Sequence, residues 1–300
     1  MKRFLNQFFL WVILFLGSLV ALGVTAQLDP RLEVLLFAEE TLWGKTVFRV
    51  EDFKGRLNGP DLLILGSSTC HRGIDPRPFQ EQAIDAFNLG SCAQSFFNSK
   101  HLLEWSIGLD KMPKTVLIDV YPLWWQSNGI ESARDLTINN DLAFQWAFQR
   151  MAWSTWESQT ILMATYFGIK RIFVPHKRQD ETKDIYVQGG FTFSNSLACD
   201  TPIPCKPEKV SLNSLQQRAF KSIRKTCEEK DIRLILVNPP QLCEEVFDKP
   251  EVMAGLPWIE GNHWPLAKVD TLYYDDHHLR GVGAELYSEW LALQVTSLMD

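Results

Sequence analysis

The chain has 300 residues, 46% of them hydrophobic, with 30 Lys and Arg against 36 Asp and Glu for a net charge of −6. That length supports one sizeable globular domain with an appendage. The acidic balance, with no basic run beyond an ordinary solvated face, argues against nucleic acid as a partner.

Met1-Lys-Arg-Phe4 opens a stretch with no charged side chain from Phe4 to Leu28. Its apolar core, Phe8 to Val24, approaches the roughly 17–25 residues that cross a bilayer, and the basic pair stands on the side expected to stay cytoplasmic. Val24-Thr25-Ala26 also fits a small-residue cleavage site, so a secreted form competes with a single-pass anchor. The length of the apolar run favours the anchor, and both readings put residues 30–300 on the extracytoplasmic, periplasmic side. Residues 1–28 are thus expected to form the anchor or signal. Residues 29–60 then hold a juxtamembrane helix, from the helical spacing over Arg31–Trp43, and a linker marked by Gly55 and Asn58-Gly-Pro60.

From Asp61 the pattern alternates. Leu62–Leu65 predicts a buried strand, Pro76–Ile84 a helix, Ala86–Leu89 a short strand, Ser95–Leu109 a helix and Lys114–Val120 a fully buried strand. Alternation of this kind implies a mostly parallel sheet covered on both faces, a three-layer α/β/α fold. The rhythm breaks over about 121–210, read as a helical and loop insertion above the carboxyl edge of the sheet. It holds an aromatic helical stretch, Asn139–Phe167, with Trp146, Trp153 and Trp156, then a polar, turn-rich segment, Lys177–Pro207. The sheet resumes after a helix over Ser211–Lys230 with a strand from Ile232. Pro250–Pro265 is loop-rich, with Trp258, His263 and Trp264 as cleft residues, and Ala284–Met299 closes residues 61–300 as a helix.

Two stretches carry chemistry. Asp61-Leu-Leu-Ile-Leu-Gly-Ser-Ser68 puts a serine just past the carboxyl end of a parallel strand, where open α/β sheets hold their sites. Asp275 and His278 stand three apart before the last helix, so the carboxylate can turn back onto the imidazole. A serine nucleophile needs a base, and the base needs an orienting partner, roles that Ser68, His278 and Asp275 fill. His71 and His277 flank these residues as candidate substrate contacts. Trp124 and Trp125 are candidate sugar-stacking residues, although a tryptophan is more often core.

Together, Gly66-Ser67-Ser68 and Asp275-Asp276-His277-His278 resemble the nucleophile and Asp-x-x-His blocks of the SGNH (GDSL-like) hydrolase superfamily. Arg72-Gly-Ile-Asp-Pro76 and Phe87-Asn-Leu-Gly90 are similar to the envelope branch that includes the alginate O-acetylation proteins. The resemblance covers both ends of residues 60–300 and not the middle. It implies a flavodoxin-like α/β/α fold and an oxyanion hole from the N–H groups of Ser68 and Ala93, with Gly90 as a nearby alternative. It departs from the family at Ala93, where a glycine is expected, and in Val116–Trp124, which lacks the third-block Asn. Loss of one oxyanion donor costs about 100- to 1,000-fold in rate. The implied function is an exported esterase or O-acyltransferase acting on acyl, chiefly acetyl, esters of an envelope polysaccharide. Its partners would be that polysaccharide or an acyl donor, the membrane and a biosynthesis complex. The alternative is a non-catalytic glycan-binding or scaffold protein of the same fold.

All six cysteines fall on the exported side, where disulfides persist. Cys199 with Cys205, and Cys227 with Cys243, are candidate pairs. The resemblance adds Cys70 with Cys92, because its first two blocks lie side by side. A Cys70 nucleophile is the weaker alternative to Ser68. His71, Asp275, Asp276, His277 and His278 raise the question of a metal, but no Cys-x-x-Cys or His-Glu-x-x-His is present, and neither metal nor cofactor is expected.

Overall fold

The computed structural model describes residues 2–28, 45–127, 129–138, 140, 184–197, 209–243 and 246–299. After α1 (Lys2–Leu28) come α2 (Thr46–Gly55), β1 (Leu62–Leu65), α3 (Ser68–His71), α4 (Arg77–Glu81), β2 (Ala86–Asn88), α5 (Phe96–Gly108), β3 (Thr115–Asp119) and α6 (Ile130–Ile138). Then follow β4 (Asp184–Val187), β5 (Phe191–Ser194), β6 (Lys209–Val210), α7 (Ser214–Glu229), β7 (Arg233–Asn238), β8 (Val246–Phe247), β9 (Trp258–Glu260) and α8 (Gly281–Met299).

The architecture is α/β around a five-stranded parallel sheet of order β2-β1-β3-β7-β9. Side chains alternate across its strands, so each strand feeds two cores. Leu63, Leu65, Val116, Ile118, Leu234 and Leu236 face α2, α5 and α7 through Val50, Phe53, Leu102, Phe220 and Ile223. Leu62, Ile64, Leu117, Ile235 and Val237 face α4 and α8 through Phe79, Tyr287, Leu291 and Val295. Burial on both faces is why the strands read as unbroken apolar runs. The chain steps from β1 to β2 on one side and then returns to β3 on the other. This reversal opens a crevice at the carboxyl ends of β1 and β3.

Local signals set the elements. Ser95 caps α5 through a capping box with Asn98, and Asn213 caps α7 by accepting from the Gln216 N–H. Three elements depart from expectation. β9 lies within Pro250–Pro265, where Pro257 and Gly261 read as loop; three residues suffice to add an edge strand to β7. The turn-rich segment contains the antiparallel β4–β5 hairpin, whose Gly189 carbonyl accepts from the Asn88 N–H at 2.8 Å. The expected linker contains α2, whose Arg49 is buried and donates to the Gly190 carbonyl and Thr192 Oγ1, both at 2.7 Å.

The side chains of α1 are described for residues 3–18 and Ala21, and among the described residues no helix is long and apolar enough to cross a membrane. The helix expected over Arg31–Trp43, Cys199, Cys205 and, except for Asn140, the stretch Asn139–Phe167 lie outside the described residues.

The cysteine pairings need correction. Cys70, Cys92 and Cys227 are free and buried, and Cys243 is disulfide-bonded, so neither Cys70–Cys92 nor Cys227–Cys243 forms. Cys70 Sγ lies 3.4 Å from Asn88 Oδ1, while Cys92 Sγ lies 3.6 Å from His71 Nε2; each thiol has its own partner. Burial pushes the Cys70 thiol well up and Cys92 to about 12, which removes Cys70 as a nucleophile.

Candidate active site

The carboxyl end of β1 delivers Gly66, Ser67 and then α3, whose first residue is Ser68. A Cβ on Gly66 would meet Asp119 Cβ at 2.3 Å and Cys70 Cβ at 2.8 Å, so only glycine lets the turn close against the end of β3. Asp119 fills that space. Its Oδ2 accepts from the Ser67 N–H at 3.2 Å, Ser67 Oγ at 3.0 Å and Thr69 Oγ1 at 2.6 Å, and its Oδ1 accepts from the Tyr121 N–H at 2.8 Å. Both neighbours of Ser68 are thereby fixed to one carboxylate. Asp119 has no counterpart among the expected site residues. Its signal was a carboxylate ending a buried strand beside the strand that leads to Ser68.

The candidate base, His278, lies on the loop before α8. The loop is pinched at its base: the Tyr274 N–H donates to the His278 carbonyl at 3.1 Å and the Arg280 N–H to the Leu272 carbonyl at 2.8 Å. Gly283 lets α8 press onto it, since a Cβ there would meet the Leu272 carbonyl oxygen at 2.6 Å. At the tip, Asp275 Oδ1 accepts from the N–H groups of His277 at 3.0 Å and His278 at 2.7 Å. Its Oδ2 lies 2.7 Å from His278 Nδ1, and His278 Nε2 lies 2.7 Å from Ser68 Oγ. A carboxylate only accepts, so Nδ1 carries the proton and Nε2 receives the serine hydroxyl.

The electrostatics suit a neutral base beside an ionised carboxylate. Burial lowers the His278 imidazole and His277 and Arg72 push the same way, outweighing the bond from Asp275 that raises it. Burial alone would raise the Asp275 carboxyl, but the His278 hydrogen bond and the two imidazoles hold it at about 2. The Tyr274 ring stacks flat on His278, 5.3 Å between centroids and 2° between planes. Its hydroxyl accepts from Arg72 at 3.2 Å, and Arg72 pairs with Asp184 of β4 at 2.7 Å. The hairpin therefore braces both the α3 side and the imidazole.

Ser68 retains 6% exposure. The donors around it differ from expectation at one position. Among the described residues the N–H groups of Ser68 and Ala93 donate to no acceptor. Ala93 sits at φ 48°, in the left-handed region where a glycine was expected. The Gly90 N–H is committed to Asn88 Oδ1 at 2.9 Å, which removes it as an oxyanion donor.

Two of the four expected substrate contacts also need correction. His71 is 0% exposed, with burial driving its imidazole well below the usual range; it belongs beneath the site, where α3 turns inward. Trp125 is 1% exposed and donates from Nε1 to the Val120 carbonyl at 2.9 Å, so its ring is core. Trp124 is half-buried, and His277 lies beside His278 with ring centroids 4.0 Å apart. Asp275, His277 and His278 also bring ligand-type atoms within 4.8 Å of one another, the one such grouping among the described residues. Both nitrogens of His278 are already taken by Ser68 and Asp275.

No family model, no curated protein and no solved structure matches the chain.

Proposed function

We propose that the protein is an exported, serine-dependent esterase or O-acyltransferase acting on acyl, chiefly acetyl, esters of a cell-envelope polysaccharide. One observation carries this reading: the unbroken chain Ser68 Oγ, His278 Nε2 and Nδ1, Asp275 Oδ2, with both links 2.7 Å long and the first joining residues 210 positions apart. Ser68 Oγ attacks the acyl carbonyl as His278 Nε2 takes its proton, and Asp275 holds the imidazolium that forms. The N–H groups of Ser68 and Ala93 stabilise the oxyanion. His278 returns its proton to the departing alkoxide, leaving an acyl-serine. Water then completes an esterase cycle, and a sugar hydroxyl completes a transfer.

Membrane attachment belongs to the same proposal. Its support is the uncharged stretch from Phe4 to Leu28, together with the exposure of α1 side chains such as Phe4 (70%) and Trp11 (71%), which find no protein core.

The test is intact-mass analysis of the full chain in detergent after treatment with a small fluorophosphonate. One stoichiometric adduct is expected on the wild type and none on Ser68→Ala. Absence of an adduct on the folded wild type overturns catalysis in favour of a glycan-binding or scaffold role.

A further inference from the structure

The tip of the base loop holds two imidazole–carboxylate pairs, and the chemistry of Ser68 uses one. His277 Nδ1 lies 2.5 Å from Asp276 Oδ1, repeating the bond between His278 and Asp275. The same reasoning fixes its tautomer: Nδ1 donates to the carboxylate, and Nε2 of the neutral ring keeps a lone pair. In His278 that lone pair is occupied by Ser68. In His277 it has no partner among the described residues, and the side chain keeps 15% exposure.

The ring is packed between neighbours. Tyr121 lies against it at 5.2 Å between centroids and His278 at 4.0 Å, while its own N–H is bonded to Asp275 Oδ1. The Asp276 backbone is anchored in turn, because its main-chain carbonyl accepts from the Leu242 N–H at 2.9 Å. A solvated histidine on a polar loop would need none of these restraints. An oriented hydrogen-bond acceptor beside the reacting base has a use when the ligand carries more than one hydroxyl.

We infer that His277 Nε2 binds the acyl acceptor, receiving a hydrogen bond from a second hydroxyl of a polyhydroxylated molecule whose first hydroxyl faces His278. The inference rests on the acyl-serine reading above. In the transfer step the first hydroxyl gives its proton to His278 Nε2 as its oxygen bonds to the acyl carbon. The bond from that carbon to Ser68 Oγ breaks, and Ser68 Oγ takes the proton from His278. His277 forms no covalent bond; it selects a diol over water and over simple alcohols.

The test uses the full chain in detergent with p-nitrophenyl acetate as donor and compares acetyl transfer to glycerol, methyl β-glucoside and ethanol, each divided by acetate released to water. One net hydrogen bond predicts a preference of about two- to tenfold, per hydroxyl, for the polyols over ethanol in the wild type. His277→Phe, which retains an aromatic ring against Tyr121, should erase that preference, and His277→Gln, which retains an accepting oxygen, should restore part of it. A preference unchanged in His277→Phe, or absent from a wild type whose Ser68 is labelled by fluorophosphonate, overturns the inference. No labelling of the wild type overturns the acyl-serine reading itself, and this inference with it. Should His277→Phe not fold, Asp276→Ala, which frees the tautomer, must lower the preference, and an unchanged preference there counts equally against it.

Discussion

Asp119 and Asp275 are buried to different depths beneath one site, and their carboxyls are driven in opposite directions. Asp119 is buried and gathers backbone N–H groups and hydroxyls, with no cation among its hydrogen-bond partners in the described residues; burial raises its carboxyl despite those bonds. Asp275 is partly open and faces two imidazoles, which hold it at about 2. The same side chain thus shapes the nucleophile turn in one place and supports a charge in the other. Neutral donors organise a backbone, whereas an imidazole that becomes a cation needs an ionised partner.

The largest expected effect falls on the charge side. Asp275→Asn should keep the loop folded yet lower the rate of Ser68 acylation by about 10⁴-fold, because an amide allows the wrong imidazole tautomer. Pre-steady-state release of p-nitrophenol measures it, and a loss under about tenfold would mean that Asp275 is no more than a loop former.

Asp119→Asn should act through architecture. One accepting oxygen becomes a donor facing donors, so stability should fall by about 1–3 kcal/mol in urea unfolding, with fluorophosphonate labelling slowed alongside. A slowed reaction at unchanged stability would break the contrast between the two carboxylates.

The pH profile sharpens it further. Acylation needs neutral His278, and burial has lowered its affinity for a proton. The acylation rate should therefore rise with pH along a limb centred below the ordinary histidine value of about 6.5 and be flat through neutrality. Asp275 opposes that lowering, so in Asp275→Asn the limb should move to still lower pH. A limb centred above about 6.5 in the wild type would contradict the electrostatics described here.

The smallest effect is expected at Ala93. Left-handed backbone costs a non-glycine residue about 1–2 kcal/mol, offset by the extra freedom glycine loses on folding, so Ala93→Gly should raise stability by under about 1 kcal/mol. Thermal unfolding reads it, and a destabilised variant would show that the methyl group packs usefully.

What was legible follows the same division. Continuous apolar runs located β1, β3 and β7 to within two residues, because a strand buried on both faces admits little else. Ser68 and the Asp275–His278 pair were legible because strand-end position and three-residue spacing are local properties. Asp119 was not, since its role depends on which strand lies beside β1. His71 and Trp125 carried polar or ring chemistry in sequence, yet their side chains point into packed interior, a direction no spacing near them records. Gly90 was lost as a donor to the Asn88 side chain two residues before it, a competition that only the folded turn reveals.

The 210-residue separation between Ser68 and His278 also sets a timetable. Ser68 leaves the ribosome 210 residues before His278, which lies on a loop that α8 must press into position. On the proposed mechanism Ser68 therefore stays unactivated on a partly made chain, and its hydroxyl gains its base only when α8 has docked.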